Sequence, residues 1–190
     1  MKRLAVLTAV AALGAAALAT SASAELKPGA KAPDFSAPAY LAGQPFTYKL
    51  ADTLKKGPVV LFFFPAAHTK GCNIEAKKFS DAADDFKALG ASVVGVTAGK
   101  VSELADFSKE TEHCGGKFPV AADAGVKIAR SYDVVLAGMK IGDSEISNRT
   151  SFVIAPDGSV LHVFSAMAPD EHVTETMGAV KAWRAKHPKN

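Results

Sequence analysis

Val59-Val60-Leu61-Phe62-Phe63-Phe64-Pro65-Ala66-Ala67-His68-Thr69-Lys70-Gly71-Cys72 is the stretch on which the organisation of this chain turns. Its first six residues are apolar β-formers with no polar interruption, the composition of a central strand buried on both faces. Pro65 stops that strand, because proline has no N–H to give to a ladder. From Cys72 onward, Phe79, Ala82, Ala83, Phe86 and Leu89 recur at helical spacing, and Gly90 stands where a helix C-cap is expected. A buried strand running through a short polar loop into an amphipathic helix is the repeating unit of an α/β sheet.

The same alternation continues outward. Residues 92–97 read as a second buried strand, followed by a helix over about 102–113 with Leu104 and Phe107 on one face, ending at Gly115-Gly116. Phe118-Pro119-Val120 reads as a short third strand and residues 126–132 as a short helix. Residues 133–148 show no clear period. Residues 150–154 and 159–164 flank Pro156-Asp157-Gly158, a turn tripeptide that joins them as a hairpin. Pro169 and Asp170 open a last helix with Val173, Met177, Val180 and Trp183 on one side. Towards the N-terminus, Phe46-Thr47-Tyr48 is a strand candidate, and residues 25–38, with three prolines, read as an extended lead-in. The expected architecture is one α/β sandwich of parallel strands joined by helices, an antiparallel hairpin and a covering helix.

Composition agrees. The chain has 190 residues, 48% hydrophobic and 22% charged, which excludes a disordered tail or a membrane bundle. Two cysteines are too few for a disulfide-stapled mini-fold. The formal charge of +3 owes two units to Lys2 and Arg3. Without them it is near neutral, which leaves no electrostatic footprint for nucleic acid.

Residues 1–24 read as a secretory signal. Lys2 and Arg3 form a basic n-region, residues 4–18 an Ala/Leu/Val-rich core, and Ser21-Ala22-Ser23-Ala24 an A-x-A cleavage site. The apolar run is short for a membrane span and lacks a stop signal, so no stable anchor is expected. Cleavage after Ala24 leaves residues 25–190 as one domain working outside the cytoplasm, most simply in a bacterial periplasm.

The chemistry concentrates in the loop 65–72. Cys72 falls in the first turn of the helix, where unpaired N–H groups and the positive dipole end stabilise a thiolate. Lys70 and His68 add positive potential, Gly71 in the same loop is a further site-modulating candidate, and the Thr69 hydroxyl can donate to the sulfur or to an oxygen beside it. Cys72 is therefore a candidate nucleophile of lowered pKa rather than an inert core thiol.

Pro65-x-x-x-Thr69-x-x-Cys72 resembles the P-x-x-x-[TS]-x-x-C signature of peroxiredoxins. Other segments extend the resemblance over nearly all of the chain after the signal: Ala32-Pro33-Asp34-Phe35, Gly95-Val96-Thr97, Phe118-Pro119-Val120 with Asp123, and Arg149-Thr150-Ser151-Phe152-Val153-Ile154. Glu75 and Phe79 also match recurrent positions in the helix after the site. The nearest type is the bacterioferritin-comigratory one. The resemblance implies a thioredoxin-like three-layer sandwich, a central mixed β-sheet with helices on both faces. It also implies catalytic roles for Cys72, Thr69, Arg149 and Pro65: Cys72 attacks the O–O bond of a hydroperoxide, Pro65 shapes the loop, Thr69 binds peroxide oxygens, and Arg149 stabilises negative charge. The expected partners are a peroxide and a thiol reductant, either a thioredoxin-like protein or a small thiol, acting on a monomer or homodimer. No cofactor and no metal are expected.

Two departures from the family pattern are visible. Position 68 is usually aromatic in the family and here is His68, whose protonated ring is expected to support the thiolate. Lys77 stands where many relatives of this type keep a resolving cysteine. The remaining thiol, Cys114, lies after the 102–113 helix, which at ~1.5 Å per residue carries it roughly 18 Å from the Cys72 end of the sheet. A disulfide needs Cα atoms within roughly 7 Å. Cys114 is thus a possible resolving thiol that the topology disfavours, and a one-cysteine cycle is expected. The competing readings are a metal-binding or metal-delivery protein using His68 and Cys72, with the other four histidines scattered, and a catalytically inert domain kept for partner binding. Asn148-Arg149-Thr150 is formally a glycosylation sequon, discounted because a glycan there would obstruct the site.

Overall fold

The structure, a computed structural model, describes residues 26–188. In chain order the strands are β1 (Ser36–Leu41), β2 (Gln44–Lys49), β3 (Val59–Phe63), β4 (Ser92–Thr97), β5 (Val120–Ala122), β6 (Val135–Ile141), β7 (Ser144–Ser147), β8 (Thr150–Ile154) and β9 (Val160–Ser165). The helices are α1 (Leu50–Leu54), α2 (Lys70–Ala88), α3 (Leu104–Lys109), α4 (Lys127–Ser131) and α5 (His172–Lys186).

The apolar run does what its composition asks. All five residues of β3 are buried, with parallel β4 on one side and antiparallel β8 on the other. The seven-stranded sheet has the order β2-β1-β5-β4-β3-β8-β9, and β6 and β7 form a separate hairpin. Alternation along β3 divides the core. Val59, Leu61 and Phe63 face α1 and α4, meeting Leu50, Leu54, Ile128 and Tyr132. Val60 and Phe62 face α2, α3 and α5, meeting Phe79, Phe86, Phe107 and Val180. This is the expected three-layer α/β sandwich, with a mixed sheet and helices on both faces.

The helix that carries the site is fixed by ring packing. Phe79 stacks on Phe62 with centroids 4.3 Å apart and planes at 17°. Full burial of such a side chain stabilises by roughly 1.5–3 kcal/mol, so the register of α2 on β3 is firmly set.

Three expectations are corrected. The lead-in is not wholly irregular: Ser36–Leu41 pairs with both β2 and β5. Its inward residues are Ala37 and Ala39, too small and too few to give a strand signal. The helix expected over 102–113 is a 3-10 turn, Val101–Glu103, followed by α3, which ends at Lys109 because Glu110 is extended (φ −67°, ψ 131°). The Glu110 carbonyl then accepts from the N–H groups of His113 and Gly115 in the turns that follow. Finally, residues 133–148 contain the β6–β7 hairpin, whose β6 strand is mostly exposed and therefore has no buried stripe for a period to reveal. Among the described residues no helix is long and apolar enough to cross a membrane. The expected signal, residues 1–24, lies outside the described residues.

Candidate active site

Cys72 is the third residue of α2, whose N-cap is Thr69. The first intrahelical bond is that of the Asn73 N–H to the Thr69 carbonyl, 2.8 Å. The helix therefore offers no acceptor to the N–H groups of Lys70, Gly71 and Cys72, and its positive end lies at the thiol. Cys72 is 2% exposed and packs in the core layer beneath α2.

The loop before it is held by the sheet. The Thr97 hydroxyl, at the end of β4, donates to the Pro65 carbonyl over 3.1 Å, and Ala66 forms a parallel bridge with Gly99. A Cβ at Gly99 would lie 2.5 Å from the Pro65 carbonyl oxygen and 2.8 Å from Ala66 Cβ, so only glycine permits this approach. Sequence reasoning missed both anchors. The adjacency of β3 and β4 is what gives Gly99 this task, and no local pattern in the sequence marks it.

Arg149 immediately precedes β8, is 3% exposed, and reaches three partners at once. Its Nη2 donates to Cys72 Sγ at 3.5 Å, its Nη1 to Glu75 Oε2, and its Nε to the Met167 carbonyl at 3.0 Å. The antiparallel pairing Phe63↔Thr150 brings Arg149 to the end of β3 where the loop begins. A Cβ at Gly71 would sit 3.0 Å from Arg149 Nη2, so the glycine clears the path of the guanidinium over the first turn of α2.

Behind Arg149 lies a buried polar network. Glu75, one turn after Cys72, and His172, at the start of α5, are both fully buried. Burial pushes the Glu75 carboxyl up to about 8, and the Arg149 charge only partly offsets it. Burial also lowers His172. The His172 Nε2–H donates to the Ala166 carbonyl at 2.9 Å, which assigns the tautomer with a bare Nδ1. That Nδ1 accepts from the Ser151 hydroxyl at 2.8 Å and faces Glu75 Oε1 at 3.5 Å. Glu75 Oε1 has no hydrogen-bond partner of its own, so a proton placed on it would point at His172. The sequence marks Glu75 only as a recurrent position, and His172 only as one of several scattered histidines; a sequence separation of 97 (172 − 75) hides the contact.

The remaining expected residues are placed as follows. The Thr69 hydroxyl donates to the Ala66 carbonyl at 3.0 Å, so its proton is committed to the loop and its oxygen is left to accept. Lys70 is exposed at the helix start. His68 has φ +55° and sets its ring edge on Phe107. Its Nδ1 lies 3.7 Å from Glu110 Oε2, and the cation seated on the sulfur is Arg149. The pairing of His68 with Cys72 as a ligand set gains no support from this geometry. Asp123 accepts from the N–H groups of Ile128 and Ala129 and anchors α4.

Cys114 is buried and free, and burial raises its thiol strongly. Its carbonyl accepts from Ser80 Oγ at 3.0 Å. Ser80 lies eight residues along α2 from Cys72, about 12 Å at ~1.5 Å per residue, so Cys114 stands beside the middle of the helix.

Residues 28–163 match the model of the AhpC/TSA family. The peroxiredoxin-family protein Rv1608c of Mycobacterium tuberculosis is 36% identical over 138 residues, covering 72% of this chain and 86% of the relative. The 2-Cys peroxiredoxin BAS1 of Hordeum vulgare is 30% identical over 159 residues, covering 81% and 73%. Among solved structures, the peroxidoxin BcpB of Mycobacterium tuberculosis superimposes with a TM-score of 0.72 at 32% identity, covering 83% of this chain and 97% of that one.

Proposed function

The chain belongs to the AhpC/TSA peroxiredoxin family, as a thiol peroxidase with relatives of the bacterioferritin-comigratory type, and from that premise we propose that it runs a one-cysteine cycle at Cys72 in an exported protein. The observation that carries the site is the Arg149 Nη2 contact with Cys72 Sγ at the leading end of α2. The sulfur attacks the distal oxygen of a hydroperoxide; an S–O bond forms as the O–O bond breaks. The departing oxygen takes a proton and leaves as water or an alcohol, and Cys72 becomes a sulfenic acid. Arg149 Nη2 and the free N–H groups of the first helical turn meet the charge that develops on the departing oxygen. Thr69 accepts a hydrogen bond from the peroxide O–H, since its own proton is held by Ala66. Pro65 shapes the loop and limits water.

The spacing of Cys114 from Cys72 along α2 supports the one-cysteine form. An external thiol then attacks the sulfenic sulfur, releases water as a mixed disulfide forms, and a second thiol regenerates Cys72. Export rests on the n-region, apolar core and A-x-A site, and N-terminal sequencing of the secreted form should read from Glu25. The proposed unit is a monomer or homodimer, measurable by light scattering.

The deciding experiment treats the reduced protein with one equivalent of peroxide, traps the product with dimedone and weighs it. A single adduct at Cys72 is expected, with peroxide consumption abolished in Cys72→Ser. A stoichiometric 72–114 disulfide would overturn the one-cysteine cycle while leaving the peroxidase standing.

A further inference from the structure

We propose that His68, Glu110 and His113 form a binding site for a borderline divalent cation of the zinc class, which staples the active-site loop to the turn that precedes Cys114. One ligand atom from each residue lies within 4.8 Å of the others. Glu110 Oε2 is the pivot, 2.9 Å from His113 Nδ1 and 3.7 Å from His68 Nδ1. Ligand atoms about 2.0–2.2 Å from a zinc ion at tetrahedral angles stand roughly 3.3–3.5 Å apart, so small rotations of these side chains would complete the set. Two imidazoles and a carboxylate are the donors that borderline cations prefer over calcium or magnesium, and three protein ligands leave a fourth position for water.

The residues come from two separate loops, and packing holds them in place. The His113 ring stacks on Phe107 with centroids 4.7 Å apart, and the His68 ring meets both Phe107 and His113 edge-on. The Glu110 carbonyl accepts from His113 N–H, closing the i,i+3 turn that puts both side chains on one side. The charge nearby favours a cation: Asp106 lies within electrostatic reach of His68, although its own ion pair with Lys109 offsets part of that field. The site differs from a thiolate–imidazole pair in the loop, because Cys72 is occupied by Arg149, whose charge would repel a metal ion. A cation here would tie residue 68 to residues 110–113.

The test uses full-length Cys72→Ser protein, so that the thiolate cannot bind the probe and peroxide chemistry plays no part. Isothermal titration with Zn2+ alone should show one site per chain. Its affinity should fall by more than roughly tenfold in Cys72→Ser/Glu110→Gln and in Cys72→Ser/His113→Ala. Glu110 is half-exposed, so its variant remains informative if the His113 one fails to fold. Co2+ should give the visible bands of a nitrogen–oxygen set without a thiolate charge-transfer band. Hydrogen exchange should slow at 66–69 and 110–116 on adding Zn2+. The proposal is overturned if Cys72→Ser binds no stoichiometric Zn2+, if Glu110→Gln binds as tightly as its parent, or if a thiolate band appears.

Discussion

Replacing Arg149 by methionine separates what this residue does for the fold from what it does for the sulfur. The side chain is 3% exposed and donates to three acceptors: Cys72 Sγ, Glu75 Oε2 and the Met167 carbonyl. Methionine fills comparable volume and supplies none of these bonds. Glu75 is then left fully buried without its cation, and breaking a buried pair from one side destabilises by about 3–5 kcal/mol. For a domain of this size that is roughly 6–20 °C in Tm. The loss grows with pH, because burial already pushes the Glu75 carboxyl up to about 8 and removing Arg149 pushes it further. At pH 5 the carboxyl is protonated with or without Arg149, so this part of the loss is absent; it sets in as pH rises through about 8 and is still growing at pH 8.5. The double variant Glu75→Gln/Arg149→Met leaves no charge to strand and should regain most of the stability. It regains none of the donor at the sulfur. Loss of one such donor lowers the rate by about 100- to 1,000-fold. Urea unfolding at both pH values, with stopped-flow measurement of peroxide reduction, reads the two effects separately. A single variant within threefold of the wild-type rate, or a double variant that recovers the rate together with the stability, would refute the role of Arg149 at Cys72.

Glu75→Gln alone should flatten the pH dependence of stability. The folded-state carboxyl holds its proton more tightly than the unfolded one, so wild-type stability is greatest below pH 4.5 as far as this group is concerned. It declines as pH rises through about 8, by about 1.4 kcal/mol for each pH unit at most; equal slopes in urea titrations of the two proteins would contradict this. Gly99→Ala forces a methyl to 2.5 Å from the Pro65 carbonyl oxygen, so the loop must shift; peroxide reduction should fall by at least about tenfold with Tm lowered by a few degrees. Cys114→Ser buries a hydroxyl in an apolar layer and should lower stability by about 1–3 kcal/mol, while the second-order rate with peroxide stays within twofold.

Much of this protein is legible from local chemistry. A run of six apolar β-formers must be buried on both faces, and a stripe of phenylalanines at helical spacing must lie on it, so β3 and α2 and the loop between them follow from composition and period. The loop in turn places Cys72 at a helix start, which needs no knowledge of anything else. Elements without a buried stripe escaped: β1 packs inward only alanines, β6 is mostly solvated, and α3 stops at Glu110 for the sake of turns that close through backbone hydrogen bonds. The sequence by itself singled out Cys72 as the candidate nucleophile and marked the elements on either side of it. Tertiary structure alone decided what surrounds that nucleophile. Glu75, Arg149 and His172 come from α2, the start of β8 and α5, and His68 meets Glu110 and His113 across two loops. Hydrophobic period records which side of an element is buried, whereas the meeting of charged groups depends on sheet order and register, to which distant parts of the chain contribute together.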